Sequence, residues 1–436
     1  MKTKNKNKKE NIFWHVLLVV GFITVFLTTL FARDPLYLPI HVDEWHHLEE
    51  SRKLFDGHFS LNVNSYRIGF HILLLPLWFF YHAVPLSVYL PAVFALFSSA
   101  ALYILVKHLF TTKTAVGSVA LFSLFGSSFN LLGKDFLVPL GATLSLVFFY
   151  LLFWYLWLYK KKKTALYFWV VYIISGAMYP LSAMIFLPML VYSLIKEKKY
   201  VHVSMPTMLV IGGLSILYVV ERTFSSLLFK KGWGVVELVN MPWELLHWLV
   251  LILVIPGIFY IIKSGRFGIL FISLFLAIWI AFFHLFSFSP LVPYQRVFFY
   301  FCVSLLFLAI VGLHSLQKSQ AWIIPIILIL AFLQPSLMQD RDAFIDQIDY
   351  HNLKQLENYP SGTVLTAPYQ GVGVYPISGH KPIATVYFDQ HRSSAAREQL
   401  LYCNTSNANY AYTDFELSCG ELLYSKSFRY VYQLQE

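Results

Sequence analysis

An acidic pair flanked by histidines lies about ten residues after the first long apolar run, in the sequence His-Val-Asp-Glu-Trp-His-His at positions 41–47. Next to the membrane the dielectric constant falls, and there a carboxylate can hold a raised pKa and act as a general base. The alternative is a solvated loop start with ordinary helix-face charges, which is the commoner case for an Asp-Glu pair alone. Asp43 and Glu44 are therefore candidates for proton abstraction.

The same segment contains four side chains that can bind a metal, namely His41, Asp43, His46 and His47. Tight zinc motifs place two histidines four residues apart with a Glu between them. The spacing found here differs from that pattern, so a dedicated zinc site is disfavoured.

A second polar site, Lys134-Asp135, lies between two apolar runs. Charged groups at membrane depth are costly, and by default they indicate function. A structural role explains the pair equally well, because Lys134 can reach the interface with its long side chain and Asp135 can cap the following helix.

A third polar site, Arg296, lies at the predicted start of a long apolar helix. A cation at a helix N-terminus opposes the helix dipole and needs a balancing group. Guanidinium binds phosphate bidentately, so a lipid phosphate is one candidate, and a carboxylate from another loop is the other.

The composition identifies the kind of protein that must position these groups. Of 436 residues, 58% are hydrophobic and only 13% are charged, whereas soluble domains are about a quarter charged. The apolar runs are long enough to cross about 30 Å of hydrocarbon as helices. The net charge of +10 comes from basic residues in short loops, a pattern typical of membrane topology rather than of nucleic-acid binding. These features predict an all-α polytopic membrane protein that binds no nucleic acid.

Placing the basic loops in the cytoplasm predicts about eleven spans, with the N-terminus inside and the C-terminus outside. The first apolar run is too long for a signal peptide and is interpreted as a retained helix. The predicted spans are 12–32, 86–106, 115–132, 136–159, a tight pair around Tyr179-Pro180, 203–220, 243–262, 267–287, 297–316 and 320–335.

The loop at 33–84 is predicted to lie outside, after the first span. It contains a further apolar run, Phe70–Val84, which includes Pro76. Counting this run as a span would place every later basic loop outside. We therefore expect a re-entrant or interfacial helix pair against the outer membrane face. The transmembrane domain, with this loop, is assigned to residues 1–339.

The last hundred residues differ from the rest and predict a small extracytoplasmic α/β domain at 340–436. A charged helix is expected at 340–357, and strands are expected at 363–367, 372–377, 382–388 and 428–434. Cys403 and Cys419 both fall in this domain, where an outer location would permit a disulfide. Whether they pair is left open, because the sequence does not give their distance.

The predicted topology places all three polar sites on the outer face, next to lipid. Together they offer a base, a second acid and a phosphate-binding cation. Such a set suits the transfer of a group from a lipid-linked phosphate to an acceptor outside.

In these segments the sequence resembles the C-type glycosyltransferase (GT-C) superfamily, multi-span enzymes that use polyprenyl-phosphate sugars. The acidic pair and its short helix, 41–58, resemble the first outer loop of that superfamily, and 66–84 resembles its membrane-lying helices. Protein O-mannosyltransferases, the aminoarabinose transferase of lipid A and GPI mannosyltransferases share such features, the last group having the most similar acidic motif. The tail contains no Trp-Trp-Asp sequence, which disfavours an oligosaccharyltransferase.

The resemblance implies a role for each matching residue. Asp43 is expected to deprotonate the acceptor hydroxyl, and Asp135 to be the second acidic group. Arg296 is expected to hold the donor phosphate, with Lys134 and Arg67 as weaker candidates for the same task.

The resemblance also implies the partners. Glu44 assists the base or, with Asp135 and His46, binds a divalent metal such as Mg²⁺ or Mn²⁺. The donor is a polyprenyl-phosphate sugar, and the acceptor is a glycan, a lipid or a protein. The membrane is the plasma membrane or one of the endoplasmic-reticulum type.

The sequence therefore predicts a membrane glycosyltransferase with an inverting direct displacement. Three alternatives remain. One is a transporter or flippase for a lipid-linked glycan, although midplane charges and an inverted repeat are not visible. Another is an O-antigen ligase or polymerase, which uses a diphosphate donor. The third is a non-catalytic assembly or receptor-like protein whose tail binds a partner.

Overall fold

A computed structural model describes residues 2–31, 38–39, 42–58, 68–80, 82–128, 139–159, 164–179, 182, 246–265, 268–286, 294–333, 345–383 and 408–434. The described chain is mostly helical and has a small sheet near its C-terminus. It divides into two compact units. The helical unit comprises Met1–Ala32, Ala92–Gly133 and Ala142–Met338, and the sheet unit comprises Arg33–Pro91, Lys134–Gly141 and Gln339–Glu436.

The helices follow the apolar runs of the sequence, because a backbone in hydrocarbon must satisfy its own hydrogen bonds. In chain order they are α1 Lys2–Phe31, α2 Val42–Phe55, α3 Ile68–Leu74, α4 Ala83–Ser87, α5 Leu90–Leu109, α6 Thr112–Ser128, α7 Pro139–Tyr159, α8 Ala165–Met178, α9 Trp248–Ser264, α10 Gly268–Phe286, α11 Tyr294–Ser315, α12 Gln320–Leu333, α13 Gln347–Gln355 and α14 Pro368–Ser378.

Three helical stretches of the described chain are long and apolar enough to cross a membrane: Asn11–Leu30, Ala83–Leu109 and Val297–Ser315. This confirms the prediction of a mostly helical membrane chain. Shorter apolar helices α7 to α10 and α12 coincide with other predicted spans. The span predicted at 203–220, and the second of the pair around Pro180, lie outside the described residues.

The apolar run Phe70–Val84 is not one continuous helix. It is divided among α3, a 3₁₀ helix at Leu75–Phe79 and the start of α4. Pro76 occupies the first turn of the 3₁₀ helix, where a missing N–H is tolerated but an α-helix through this point would be broken. Leaving this run out of the span count stays a prediction.

In the helical unit, α9 and α11 approach closely at a pair of glycines. A Cβ atom on Gly257 would overlap the carbonyl oxygen of Leu308, and one on Gly312 would overlap that of Leu253. Small residues that allow such backbone contact are the usual means of helix association in membranes, where the hydrophobic effect between helices is weak.

Within the described residues, the sheet has five strands in the order β2-β1-β3-β5-β4. They are β1 Thr363–Thr366, β2 Lys381–Pro382, β3 Tyr410–Thr413, β4 Gly420–Lys426 and β5 Arg429–Leu434. β1 pairs in parallel with β2 and β3, whereas β5 pairs antiparallel with β3 and β4. The predicted small C-terminal sheet is thus confirmed, including strands at 363–367 and 428–434.

The strand predicted at 372–377 is wrong, because these residues lie within α14. Residues 372–377 are all buried. A short run that is buried on all sides has no regular spacing of apolar and polar residues that would distinguish a strand from a helix. Pro368 at the first turn and Gly379 with φ of 75° at the end are the signals that a helix occupies this run. Of the strand predicted at 382–388, residues 384–388 lie outside the described residues. Its first residue, Pro382, belongs to β2.

Cys419 is disulfide-bonded, so a disulfide is present in the tail as the sequence allowed. Cys403 lies outside the described residues, and Cys302 is a buried free thiol.

Asp349 on α13 joins three elements of the sheet unit. It is buried, and it accepts hydrogen bonds from the Tyr412 hydroxyl at 2.5 Å, Arg429 Nε at 3.1 Å and Gln370 Nε2 at 3.4 Å. Burial lowers the pKa of Arg429, but the hydrogen bond and charge of Asp349 outweigh it and raise that pKa. The carboxylate therefore holds α13 against α14, β3 and β5.

We expect Asp349→Asn to lower the thermal unfolding temperature of the purified chain. The substitution removes a buried charge that accepts several hydrogen bonds, each worth about 1.5–3 kcal/mol when charged. Asp414→Asn is the matched control, because Asp414 is exposed. Equal unfolding temperatures for the two variants would contradict this role.

Candidate functional site

Helix α2 is the candidate site, and its polar side chains are buried rather than solvated. The exposed fractions are 0% for Glu44, 7% for His46, 0% for His47, 4% for Glu49 and 3% for Glu50. Charged residues are seldom fully buried unless they are paired. The alternative of a solvated loop start with ordinary helix-face charges is therefore wrong for this helix.

Arg52 fixes the C-terminal part of α2 within the sheet unit. Its Nη1 donates to the carbonyl oxygens of Tyr375 at 3.2 Å and Pro376 at 2.8 Å, in the last turn of α14. Carbonyl groups in the last turn of a helix carry partial negative charge, so a guanidinium stabilises them. Arg52 thus attaches α2 to a helix that follows it by more than 300 residues.

Two indole groups fix the rest of the helix. Trp45 is fully buried in the core of the sheet unit, and its Nε1 donates to the carbonyl oxygen of Pro39 at 3.1 Å. Trp78 Nε1 donates to Ser51 Oγ at 2.9 Å. With both ends anchored, the side chains of α2 are held in place, as a reaction site requires.

Lys53 neutralises part of the buried acidic charge. Its Nζ lies 2.6 Å from Glu49 Oε1 and 3.0 Å from Glu50 Oε1. Burial raises the pKa of Glu49, and the opposing effect of Lys53 is smaller. For Lys53, burial lowers the pKa, but the two carboxylates outweigh it and raise that pKa.

We expect Lys53→Met to destabilise the chain by about 2–3 kcal/mol, because two buried carboxylates would lose their cation. The matched control is Lys381→Met, since Lys381 is exposed on β2. Thermal unfolding of both purified variants measures the difference. A Lys53→Met chain as stable as the control would show that Glu49 and Glu50 do not need the ammonium group.

Two buried histidines connect α2 to α3. His47 Nδ1 lies 3.0 Å from His71 Nε2, and Phe70 packs edge-on against His47. One ring must donate the shared proton and the other must accept it, so both rings cannot be fully protonated in this arrangement.

Only part of the predicted site lies in the described residues. Asp43 is in the first turn of α2, four positions before His47. Arg296 is the third residue of α11. The side chains of both lie outside the described residues, as do Arg67, Lys134 and Asp135 entirely. Their meeting in one site stays a prediction.

The predicted metal ligands Glu44 and His46 both lie on α2. Two residues apart on a regular helix they point about 200° apart around the axis, so they do not face each other. Among the described residues, groups of three or more His, Cys, Asp or Glu side chains arranged for a metal are absent. Asp135, the third predicted ligand, lies outside the described residues, so the predicted metal site stays a prediction.

Sequence reasoning missed the buried ion pairs of Lys53 with Glu49 and Glu50 and the contacts of Arg52 with α14. The spacing of Lys53 at three and four residues after the two glutamates is a visible signal for ion pairs on a helix. Nothing local signals the partners of Arg52, because they lie on α14.

Neither a protein-family model nor a curated protein sequence matches this chain. Solved structures do show similarity. One is the archaeal oligosaccharyltransferase AglB from Archaeoglobus fulgidus in complex with an inhibitory peptide and a dolichol phosphate. It is 12% identical, with a TM-score of 0.46, over 92% of this chain and 69% of that chain.

Two further structures are oligosaccharyltransferases from Archaeoglobus fulgidus. One is a complex with zinc and sulfate, 12% identical with a TM-score of 0.44 over 89% of this chain and 67% of that one. The other is tethered to an acceptor peptide with an NVT sequon, 13% identical with a TM-score of 0.46 over 92% and 69%.

Proposed function

We propose that the chain is a polytopic glycosyltransferase that moves a sugar from a polyprenyl-phosphate donor to an acceptor on the extracytoplasmic side. The observation that carries this proposal is the buried acidic helix α2, which follows the first apolar helix. Buried carboxylates cost free energy unless they are paired or used. Lys53 pairs with Glu49 and Glu50, and the acidic pair Asp43-Glu44 stands at the start of the same helix.

The proposed reaction is a single displacement with inversion. The Asp43 carboxylate takes the proton of the acceptor hydroxyl while that oxygen attacks the anomeric carbon. The bond between this carbon and the phosphate oxygen breaks, and the polyprenyl phosphate leaves with the electron pair. Glu44 assists the base, and Asp135 is the second acidic group. Arg296 holds the leaving phosphate, aided by Lys134 and Arg67.

The proposed topology has eleven spans with the N-terminus inside, a catalytic part at 1–339 and an extracytoplasmic part at 340–436. The segment from α3 to α4 is proposed to lie in the outer membrane interface. In support of this, it exposes large apolar side chains that water disfavours. These are Ile72, Leu73, Phe79 and Leu86.

A divalent metal such as Mg²⁺ or Mn²⁺ would supply Lewis acidity near the phosphate, with Glu44 or Asp135 as its protein ligands. The proposed steps rely on the side chains of the chain alone.

Sealed vesicles that contain the chain test this function. With a radiolabelled polyprenyl-phosphate sugar in the bilayer, we expect label to move to an endogenous acceptor. We expect Arg296→Ala to reduce this transfer at least about tenfold, since it loses a charged contact to the phosphate. Lys318→Ala is the control, because it changes a basic residue on the predicted cytoplasmic side. Transfer no greater than in vesicles without the chain would contradict the proposal.

A further inference from the structure

Two neighbouring cavities in the sheet unit are both lined by Arg52 and Glu357. The first has a volume of about 190 Å³ and includes Phe55, Trp78 and Phe80 in its lining. The second has a volume of about 420 Å³ and includes Tyr359, Ser361 and Gly379. The larger volume is within the range of about 300–1,000 Å³ that is usual for small-molecule sites.

The charged groups that line these cavities balance one another. Arg52 and Lys354 are basic, and Asp56 and Glu357 are acidic. Lys354 Nζ contacts both carboxylate oxygens of Glu357 at 2.7 Å. An anion placed here would meet two carboxylates as well as two cations. The lining therefore favours a neutral polar ligand over a phosphate or an acidic one.

Arg52 has donors that its neighbouring carboxylates do not reach. Its Nε lies 3.7 Å from Asp56 Oδ2, and its Nη2 lies 3.7 Å from Glu357 Oε1. Both distances exceed those of hydrogen bonds, so each pair keeps a guanidinium N–H and a carboxylate oxygen that can bond to a hydroxyl group placed beside them. A hydroxyl donates one hydrogen bond and accepts others, so it fits between a guanidinium and a carboxylate.

The remaining lining offers apolar surface and open space. Phe55, Trp78 and Phe80 supply aromatic rings, and the Arg52 guanidinium carbon lies 5.5 Å from the Trp78 ring centroid. Gly379 has a φ of 75°, and a Cβ there would lie 3.1 Å from Arg52 Nη2. Glycine thus leaves the guanidinium edge accessible from the larger cavity.

We propose that these cavities bind a neutral saccharide through its hydroxyl groups and its C–H faces. Hydroxyls bridge Arg52 to Asp56 and Glu357, and the aromatic rings cover the apolar face of a sugar ring. The site goes beyond the transfer reaction, because binding here needs neither the donor phosphate nor the base Asp43.

The test is binding of the full-length purified chain to an array of neutral oligosaccharides that also carries sulfated and phosphorylated ones. Glycans that bind are then titrated against variants. Glu357→Gln removes one carboxylate, and Ser361→Trp fills the larger cavity from an exposed position. Ser425→Trp is the matched control, because Ser425 is exposed on β4 outside both cavities.

We expect the wild type to bind neutral glycans, with affinity at least about tenfold lower in Glu357→Gln and Ser361→Trp and unchanged in Ser425→Trp. Asp43→Asn should bind as the wild type does, which separates this site from the transfer chemistry. Binding of charged glycans alone, binding equal in all variants, or no bound neutral glycan would overturn the proposal.

Discussion

Asp43→Asn is expected to abolish sugar transfer while leaving the chain folded. Asparagine has nearly the same shape as aspartate, but it cannot accept the proton of an acceptor hydroxyl. Loss of a general base lowers the rate by about 10²–10⁴-fold. Transfer from a polyprenyl-phosphate sugar, compared at equal amounts of purified protein, measures the effect.

The fold should tolerate this change because the anchors of α2 lie elsewhere. Trp45, Ser51 and Arg52 make the hydrogen bonds that fix the helix. Asp414→Asn is the control, since it makes the same substitution at an exposed position of the tail. A fully active Asp43→Asn chain would remove Asp43 from the reaction.

Gly312→Ala is expected to disrupt the packing of α9 against α11. The new Cβ would overlap the carbonyl oxygen of Leu253, a backbone atom that cannot move aside as a flexible side chain can. Overpacking of this kind costs about 1–3 kcal/mol, and contact with backbone places it at the upper end. We expect a lower thermal unfolding temperature and a lower yield of folded protein, with the same result for Gly257→Ala.

Ala321→Leu is the control for the glycine variants. It adds more volume, but Ala321 is exposed on α12. We expect its unfolding temperature to match the wild type. If Gly312→Ala unfolded at the same temperature as the wild type, α9 and α11 would not be held together by this backbone contact.

The sequence predicted the apolar helices well, because each long run has only one way to satisfy its backbone in hydrocarbon. α11 and α12 begin and end within a few residues of the predicted spans at 297–316 and 320–335. The buried run in α14 was predicted as a strand. Burial on all sides removes the regular spacing of apolar and polar residues from which a helix is distinguished from a strand.

The candidate site could be predicted only in part. The acidic pair at 43–44 could be recognised from the sequence, because charged residues close to a long apolar run are unusual. The burial of Glu49 and Glu50 could not be predicted from the sequence, because it depends on contacts made by elements far along the chain. Arg52 shows this most clearly, since its carbonyl partners, Tyr375 and Pro376, belong to α14.

The most direct test of the central claim is a donor panel offered to the purified wild-type chain. The panel contains labelled sugars on polyprenyl monophosphate, on polyprenyl diphosphate and on nucleotides, with an acceptor extract from the same membrane. We predict transfer from a polyprenyl monophosphate donor and none from nucleotide sugars. Transfer from the diphosphate donor alone, or binding of lipid-linked sugars with no transfer from any donor, would contradict the proposed enzyme.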